Sequence, residues 1–255
     1  MNTASRQESA KRHFEHWGFV KIPGFLKRDQ FEAFEAIAEQ YMQAWLRQNA
    51  EYYERGVLNA AYLTRGDDLS DVQKSAIFRV VASVPLVELV APLLNNAPRF
   101  INTQLFFNPK RPQPNYWHRD GQYHLNSQQL RHALSGPTPL HCRIALRDEY
   151  GLELIPRTHR RWDTIREFSV RNQYDSLRHF DALPGSVKVP LAAGDLLLFS
   201  ANMIHRGLYG KSRLALDLLY SEDLVEFTQY IDPNAYPSGD LTEFECPSVF
   251  DVSFT

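Results

Sequence analysis

The stretch Tyr116-Trp117-His118-Arg119-Asp120-Gly121 is the most informative part of this chain of 255 residues. Residues two apart on a β-strand point to the same face, so a strand here would present the imidazole of His118 beside the carboxylate of Asp120. A His-x-Asp tripeptide alone is a weak signal, because the chain contains nine histidines. Its meaning therefore depends on the segments around it.

A later segment supplies a third candidate ligand. Residues 194–199, Gly-Asp-Leu-Leu-Leu-Phe, predict a tight turn and a buried strand, and His205 follows shortly afterwards. Two histidines and one carboxylate on one face of an octahedron leave three positions open, the arrangement that non-haem Fe(II) oxygenases use. The next strand alternates, with Arg213, Ala215 and Asp217 on one face and Leu214, Leu216 and Leu218 on the other.

Together, these segments resemble the phytanoyl-CoA dioxygenase-like family of Fe(II)/2-oxoglutarate-dependent oxygenases, over roughly residues 10–220. Residues 14–26 are similar to the family's opening helix-to-strand segment, 117–121 to its first metal-binding motif, and 194–205 to its return to the metal. Leu-Ile-Pro-Arg-Thr-His at 154–159 stands where the family usually has a Pro-Gly-Ser-His turn. Arg213 follows His205 at a somewhat shorter spacing than is usual in the family.

The resemblance implies a dioxygenase that uses Fe(II), 2-oxoglutarate and O₂ to hydroxylate a C–H bond of a small-molecule substrate, with release of succinate and CO₂. It implies that His118, Asp120 and His205 are the metal-binding and catalytic residues, and that Arg213 binds the 2-oxoglutarate carboxylate. A guanidinium suits this role because it can hold a carboxylate by two parallel hydrogen bonds. Gln104 is a further candidate for cofactor binding, and Gln122, His124 and Arg157 are candidates for substrate binding.

Other polar residues near these motifs have less specific interpretations. Gln122 and His124 continue the two-residue alternation of the metal motif, so both are expected to face the site. Four arginines are interpreted either as a basic rim for an anionic substrate or as a solvated surface: Arg143, Arg157, Arg160 and Arg161. The histidines interpreted as surface or structural residues are His13, His16, His132, His141 and His179.

The hydrophobic pattern predicts an α+β chain in which helices precede strands. Helices are expected at 4–17, at 29–48 and, with a break at Pro85, at 71–94. Strands are expected at 100–107, 116–123, 139–146, 152–155, 187–190, 196–199 and 213–220. With the resemblance, this pattern predicts a single dioxygenase domain over residues 1–255, a double-stranded β-helix (jelly-roll/cupin-like) barrel with an N-terminal helical layer. Within the polar, irregular residues 49–70, the segment 52–68 is a candidate mobile lid, and 227–255 is expected to be an ordered wrap or a subunit contact.

The composition of the chain indicates which kinds of binding partner to expect. The 28 basic and 30 acidic residues nearly balance, which argues against binding to nucleic acid. Two cysteines, Cys142 and Cys246, cannot form a disulfide framework, and the polar N-terminus is unlike a signal peptide. No apolar stretch is long enough to span a membrane. We expect a cytoplasmic monomer or homodimer that binds a small, possibly anionic substrate.

Two other functions remain open. A cupin-like metalloenzyme could use the same three ligands without 2-oxoglutarate, but it would not need a carboxylate anchor such as Arg213. A non-catalytic small-molecule-binding barrel would not need to keep all three ligands. A protein kinase is excluded, because Leu125 stands where the kinase catalytic loop has an asparagine.

Overall fold

The computed structural model describes residues 3–95, 97–137 and 139–252. The α-helices in these residues are α1 Thr3–Trp17, α2 Arg28–Gln48, α3 Ala50–Glu54, α4 Asp71–Val81, α5 Val84–Val90, α6 Ser127–Ala133, α7 Ile165–Asn172 and α8 Val225–Thr228. The β-strands are β1 Phe19–Ile22, β2 Asn59–Ala61, β3 Pro98–Phe107, β4 Leu140–Ala145, β5 Glu149–Leu154, β6 Val187–Leu191, β7 Leu196–Ser200, β8 His205–Gly207 and β9 Leu214–Glu222.

The strands form two sheets with antiparallel pairing throughout. The larger sheet has the order β1-β7-β4-β9-β3-β2, and the smaller has the order β6-β5-β8. The predicted mixture of helices and antiparallel strands is confirmed. Closure of the sheets into one barrel, and a separate N-terminal helical layer, stay predictions.

Strand β9 shows how the sequence separates the core from the site. Leu214, Leu216 and Leu218 belong to the main hydrophobic core, which also contains residues of α1, α2, α4 and α5. Burial of each leucine contributes roughly 1.5–3 kcal/mol relative to exposure. Three of the alternate positions, Asp217, Leu219 and Ser221, line a cavity instead. The predicted alternation of this strand therefore fixes which side chains reach the cavity.

The Gly194-Asp195 turn fixes the start of β7. Gly194 has φ +86°, and a Cβ there would lie 2.6 Å from the Leu26 carbonyl oxygen, so glycine is required. The Asp195 carboxylate accepts hydrogen bonds from the backbone N–H groups of Gly24 and Ala192, both at 2.9 Å. It also lies 2.8 Å from Lys21 Nζ. This turn ties β1 to the strand that leads towards His205.

The predicted strand at 116–123 is wrong. His118 forms only an isolated bridge with His205, and residues Asp120–Tyr123 form a 3₁₀-helix. The chain turns here because Gln122 N–H donates to the Arg119 carbonyl oxygen and His124 N–H to that of Gly121. His118 and Asp120 therefore share a site because of this turn, and not because of a strand's alternation.

Residues 49–70 are more ordered than predicted. They contain α3 and the edge strand β2, which pairs with β3 through Ala60 and Leu105. Leu63 and Thr64 are buried. The prediction of an irregular segment is wrong for these parts, and the lid motion stays a prediction.

Two short helices, α6 and α7, were not predicted. The Asn126 side chain caps α6 by accepting from the backbone N–H groups of Gln128 and Gln129. Thr164 and Glu167 form a capping box at the start of α7. Both helices begin with polar cap residues that the sequence displays.

The C-terminal segment packs on the core as far as it is described. Phe244, Val249 and Phe250 are buried, and the Phe250 ring contacts Phe78 and Phe100. This part of 227–255 is the ordered wrap that the sequence allowed. No single helix in the described residues is long and apolar enough to cross a membrane, although the bent pair Asp71–Val81 and Val84–Leu93 passes that test by length and composition.

Candidate metal and 2-oxoglutarate site

His118, Asp120 and His205 converge on one point. Their candidate ligand atoms all lie within 4.8 Å of one another. Asp120 Oδ1 is 3.5 Å from His118 Nε2 and 3.7 Å from His205 Nε2. Two imidazoles and one carboxylate in this arrangement could hold a divalent metal ion and leave positions for other ligands.

Backbone carbonyls orient both imidazoles. Nδ1 of His118 lies 3.2 Å from the Tyr116 carbonyl oxygen, and Nδ1 of His205 lies 3.1 Å from that of Met203. A carbonyl can only accept, so each Nδ1 carries the proton and each Nε2 keeps its lone pair. Burial, with the neighbouring His118, lowers the pKa of His205 to about 3. The neutral ring of His205 is therefore ready to act as a ligand, and Nε2 of His118 lies near the same point.

Asp120 is the anionic member of the set. Burial raises its pKa, but the neighbouring histidines outweigh burial and hold the pKa of the carboxyl well below its ordinary value. Asp120 is therefore a carboxylate at neutral pH.

His141 lies on the other side of Asp120. Its Nε2 is 3.0 Å from Asp120 Oδ2, at ion-pair distance but without the alignment of a hydrogen bond, and its Nδ1 is 3.2 Å from Asp217 Oδ2. Burial lowers the pKa of His141, but the two carboxylates outweigh burial and raise it to about 9. The interpretation of His141 as surface or structural missed this place beside a candidate ligand. The available signal was the alternation of β4, which puts His141 and Arg143 opposite the core positions Cys142 and Ile144.

Arg213 is a buried cation that lines the same cavity as the three candidate ligands. Its Nε and Nη1 have no hydrogen-bond partner among residues 3–95, 97–137 and 139–252. Burial and the nearby Arg143 lower the pKa of Arg213 to about 10, so it stays protonated at neutral pH. Gly207 makes room for it, because a Cβ there would lie 2.8 Å from Arg213 Nη2.

Arg143 lies close by but is fully paired. It donates to both carboxylate oxygens of Glu149, at 2.8 and 2.9 Å, and to Asp217 Oδ1 at 3.0 Å. Of these two buried arginines, Arg213 is the one with N–H groups left for a ligand carboxylate.

The predicted basic rim does not form. Arg157 lies at the surface, with its guanidinium 4.7 Å from the Trp17 ring, and Arg161 pairs with Glu167. The cavity lining does not include Arg157, Arg160 or Arg161. Arg143 is buried, and its guanidinium is engaged in ion pairs. The placement of Arg157 gives no support to its predicted role in substrate binding.

Of the other predicted site residues, two line the cavity and one does not. Gln104 lies opposite Asp217 in the β3–β9 register. Both Gln104 and His124 line the cavity. Gln122 does not line it, because its side chain accepts from the backbone N–H of Arg119 at 3.2 Å and contacts Arg171. The 3₁₀-turn after Asp120 rotates Gln122 away from the site.

Arg119, between the two candidate ligands of the motif, was given no role from the sequence. Its fully buried side chain donates to Asp163 at 2.8 and 3.0 Å and to the Thr158 carbonyl oxygen at 2.6 Å. It also contacts the Asn202 carbonyl oxygen. Arg119 therefore ties the metal motif to the segment that leads into His205. No sequence signal pointed to this, because its partners are distant in the chain.

The family model described as Phytanoyl-CoA dioxygenase (PhyH) matches residues 14–213. This match covers most of the chain, including the three candidate ligands and Arg213. The chain belongs to the phytanoyl-CoA dioxygenase family. The predicted family is confirmed, and so is the general class, an Fe(II)- and 2-oxoglutarate-dependent oxygenase. No curated protein sequence matches the chain significantly.

Solved structures show the same fold at low sequence identity. EctD from S. alaskensis in its apoform is 17% identical, with a TM-score of 0.62 over 98% of this chain and 86% of that chain. HygX from Streptomyces hygroscopicus with nickel and 2-oxoglutarate bound is 15% identical, with a TM-score of 0.57 over 84% and 86%. The non-heme alpha ketoglutarate dependent epimerase SnoN from nogalamycin biosynthesis is 17% identical, with a TM-score of 0.57 over 86% and 82%.

Proposed function

We propose that the protein is an Fe(II)- and 2-oxoglutarate-dependent dioxygenase that hydroxylates a C–H bond of a small molecule and releases succinate and CO₂. His118, Asp120 and His205 hold the iron, and Arg213 binds the distal carboxylate of 2-oxoglutarate. The observation that carries this proposal is the buried guanidinium of Arg213, whose unpaired N–H groups share one cavity with the three candidate ligands.

The protein's own contribution is to hold the reactants in place. The carbonyl oxygens of Tyr116 and Met203 keep the histidine lone pairs directed at one point. His118, Asp120 and His205 would hold the iron, which would supply the sites for 2-oxoglutarate and O₂. Bound iron, with 2-oxoglutarate and O₂, supplies the oxidising power, while the protein selects the C–H bond that is exposed to it.

Arg213 fixes the orientation of the co-substrate. A desolvated N–H group without a partner is unfavourable, so a carboxylate that reaches Arg213 relieves that cost and gains a charge-assisted hydrogen bond. Gln104 is proposed as a further donor, because it shares the cavity-facing side of the sheet with Asp217.

The alternatives differ in what they require. A cupin-like metalloenzyme without 2-oxoglutarate gives no reason to bury, beside the ligand set, an arginine whose Nε and Nη1 make no hydrogen bond within the described residues. A non-catalytic barrel gives no reason to direct Nε2 of both imidazoles towards one point beside a carboxylate. HygX was solved with nickel and 2-oxoglutarate bound, which supports a metal ion together with 2-oxoglutarate as the proposed ligands.

Turnover with a metabolite extract tests the proposed reaction. The protein is loaded with Fe(II) and 2-oxoglutarate without O₂, mixed with the extract and then exposed to ¹⁸O₂, while succinate and product masses are followed. We expect succinate and a product that has gained one labelled oxygen. Succinate with a product of unchanged mass would favour the kind of reaction named for SnoN, an epimerase. No succinate above the level of an Asp120→Ala control would contradict the proposal.

A further inference from the structure

The cavity is larger than a small amino acid or sugar acid needs. Its volume is about 1400 Å³, and the candidate ligands and Arg213 line only part of it. Pockets that enclose drug-sized molecules usually measure about 300–1,000 Å³. The space beyond the metal and co-substrate therefore accommodates a molecule of several rings.

One side of this space is an aromatic wall, consisting of Tyr62, Tyr116, Tyr123, His124 and Tyr230, all of which line the cavity. The Tyr116 and Tyr123 rings lie 5.1 and 5.8 Å from the ring of His118. The His124 ring lies 5.2 Å from that of Tyr230, whose carbonyl oxygen accepts from the Tyr62 hydroxyl at 2.6 Å.

The wall extends from the candidate ligands to the protein surface. Tyr123 is 54% exposed and Tyr230 is 38% exposed, although both line the cavity. Flat rings gain most from contact with other flat rings through stacked or edge-to-face packing. A wall of this length and composition fits an extended ring system better than a flexible chain.

The interior offers little to a charged substrate. Arg143 is fully paired, and Arg213 is assigned to the co-substrate. The other arginines and the acidic residue that line the remaining space are exposed. They are Arg55, Arg131 and Glu226. Arg131 also stacks on Trp162, with its guanidinium 4.4 Å from the ring. His141, which is also buried in the cavity lining, already faces Asp120 and Asp217. Within the described residues a buried charge on the substrate would therefore lack a partner, so the expected substrate body is uncharged.

Asn102 offers a polar contact inside the cavity. It is only 6% exposed, it lines the cavity, and its Oδ1 has no hydrogen-bond partner among the residues that the structure describes. It lies on β3 opposite Leu219 of β9. A buried amide oxygen without a donor is unfavourable, and a substrate hydroxyl or N–H would satisfy it.

We propose that the substrate is a large, uncharged polycyclic molecule that lies against the aromatic wall and donates a hydrogen bond to Asn102. This inference rests on the proposed function only in assigning the metal ligands and Arg213 to iron and 2-oxoglutarate. It replaces the expectation of an anionic substrate.

Binding of three chemically distinct probes tests the substrate class. Estradiol is an uncharged tetracycle with hydroxyl groups, palmitoyl-coenzyme A is an anionic acyl chain, and L-proline is a small zwitterion. Each is titrated by calorimetry into the metal-free protein and into the anaerobic protein with Fe(II) and 2-oxoglutarate. We expect estradiol to bind at least about tenfold more tightly than the other two probes. Tenfold corresponds to a binding free energy difference of about 1.4 kcal/mol. Tighter binding of palmitoyl-coenzyme A or L-proline would overturn the proposal.

Variants locate the binding. Asn102→Leu should weaken estradiol binding about tenfold but leave estradiol dimethyl ether, which has no hydroxyl donor, unchanged. Val57→Trp, which fills part of the cavity, should weaken both probes. Val72→Trp on the exposed face of α4 should weaken neither. Equal estradiol binding by all four proteins, wild type included, would place the probe elsewhere and overturn the proposal.

The two proposals fail in different ways. Tight estradiol binding without any 2-oxoglutarate binding would contradict the proposed function and leave the substrate class standing. Formation of the iron and 2-oxoglutarate complex with preferential binding of L-proline would contradict only the substrate class.

Discussion

Arg213 Nε lies 3.5 Å from Glu149 Oε2, a distance that makes an ion pair but not a normal N–H···O hydrogen bond. Glu149 uses both oxygens for Arg143 instead, at 2.8 and 2.9 Å. The carboxylate therefore holds Arg213 in place electrostatically while leaving its N–H groups available. This division of one glutamate between two arginines leaves Nε and Nη1 of Arg213 without a hydrogen bond within the described residues, as the proposed binding of a second carboxylate requires.

Arg213→Ala should weaken 2-oxoglutarate binding and leave Fe(II) binding nearly unchanged. Loss of one partner from a desolvated, hydrogen-bonded charge pair costs roughly 2–5 kcal/mol. The dissociation constant for 2-oxoglutarate should then rise by about 30-fold to several thousandfold, measured by anaerobic calorimetry. The control Arg160→Ala removes an exposed arginine outside the cavity. Equal 2-oxoglutarate affinity in both variants would show that Arg213 is not the anchor.

His141→Phe should weaken metal binding although His141 is not a proposed ligand. The change keeps an aromatic ring stacked near Phe199, 4.6 Å away in the native structure, but leaves Asp120 and Asp217 without their shared cation. Loss of such a supporting contact typically costs about 10–100-fold in metal affinity or activity. An Fe(II) titration checks this, with His132→Phe at another cavity-lining histidine as control. His141→Gln, which can donate to one carboxylate, should recover part of the affinity. If His141→Phe and the control bind Fe(II) alike, His141 does not position Asp120.

Asp195→Asn should lower stability, most strongly at neutral pH. Burial raises the pKa of Asp195, but Lys21 and the backbone N–H groups of Gly24 and Ala192 outweigh burial and lower the pKa below its ordinary 3.8. A depressed pKa in the folded state adds stability above the ordinary value, and this stability is lost as the pH falls through the folded-state pKa. The stability loss in the variant should be about 1.5–3 kcal/mol near neutral pH and should shrink on acidification.

Urea unfolding from about pH 7 down to pH 4 and below measures this difference. The control Asp67→Asn changes an exposed carboxylate and should unfold like the wild type at each pH. A stability difference between Asp195→Asn and wild type that stays constant or grows on acidification would contradict the assigned sign.

Substrate binding should slow amide hydrogen exchange in one part of the segment 52–68 and leave it unchanged in another. Residues 55–62, apart from Ala60, line the cavity, whereas Leu63 and Thr64 are buried and Leu63 N–H donates to Thr103 Oγ1 at 2.8 Å. We expect slower amide exchange in 55–62 only when substrate joins the iron and 2-oxoglutarate complex, and slow exchange at 63–64 throughout. Full protection of the whole segment in the free protein would show ordinary packed structure and no lid.

The sequence singled out His118, Asp120 and His205 because an ordered set of motifs contains them, and the structure brings their candidate ligand atoms within 4.8 Å of one another. The turn at Gly194 and the alternation of β9 are local patterns, and they correctly placed the strand before His205 and the inward side of Asp217. Gln122 was expected to face the site, and the structure places it outside the cavity lining for a local reason as well. Extending a strand's alternation past Asp120 assumed extended backbone, but the chain turns there into a 3₁₀-helix.

Contacts between distant segments could not be predicted. His141 contacts Asp120 and Asp217, and Arg143 contacts Asp217, only after β4 and β9 have come together. The same holds for Arg119 and Asp163, which are separated by 44 residues. Arginines and histidines in such clusters look like surface residues in a sequence, because nothing local shows that their charges are paired.

An anaerobic titration of Fe(II) into the protein with 2-oxoglutarate tests the central claim most directly. Chelation of iron by a keto acid produces a visible charge-transfer band, which neither component shows alone. We expect the band in the wild type, its loss in Asp120→Ala and His205→Ala with the fold retained by circular dichroism, and a shift of its 2-oxoglutarate midpoint to higher concentration in Arg213→Ala. Iron bound by the wild type without any such band, at saturating 2-oxoglutarate, would contradict the account.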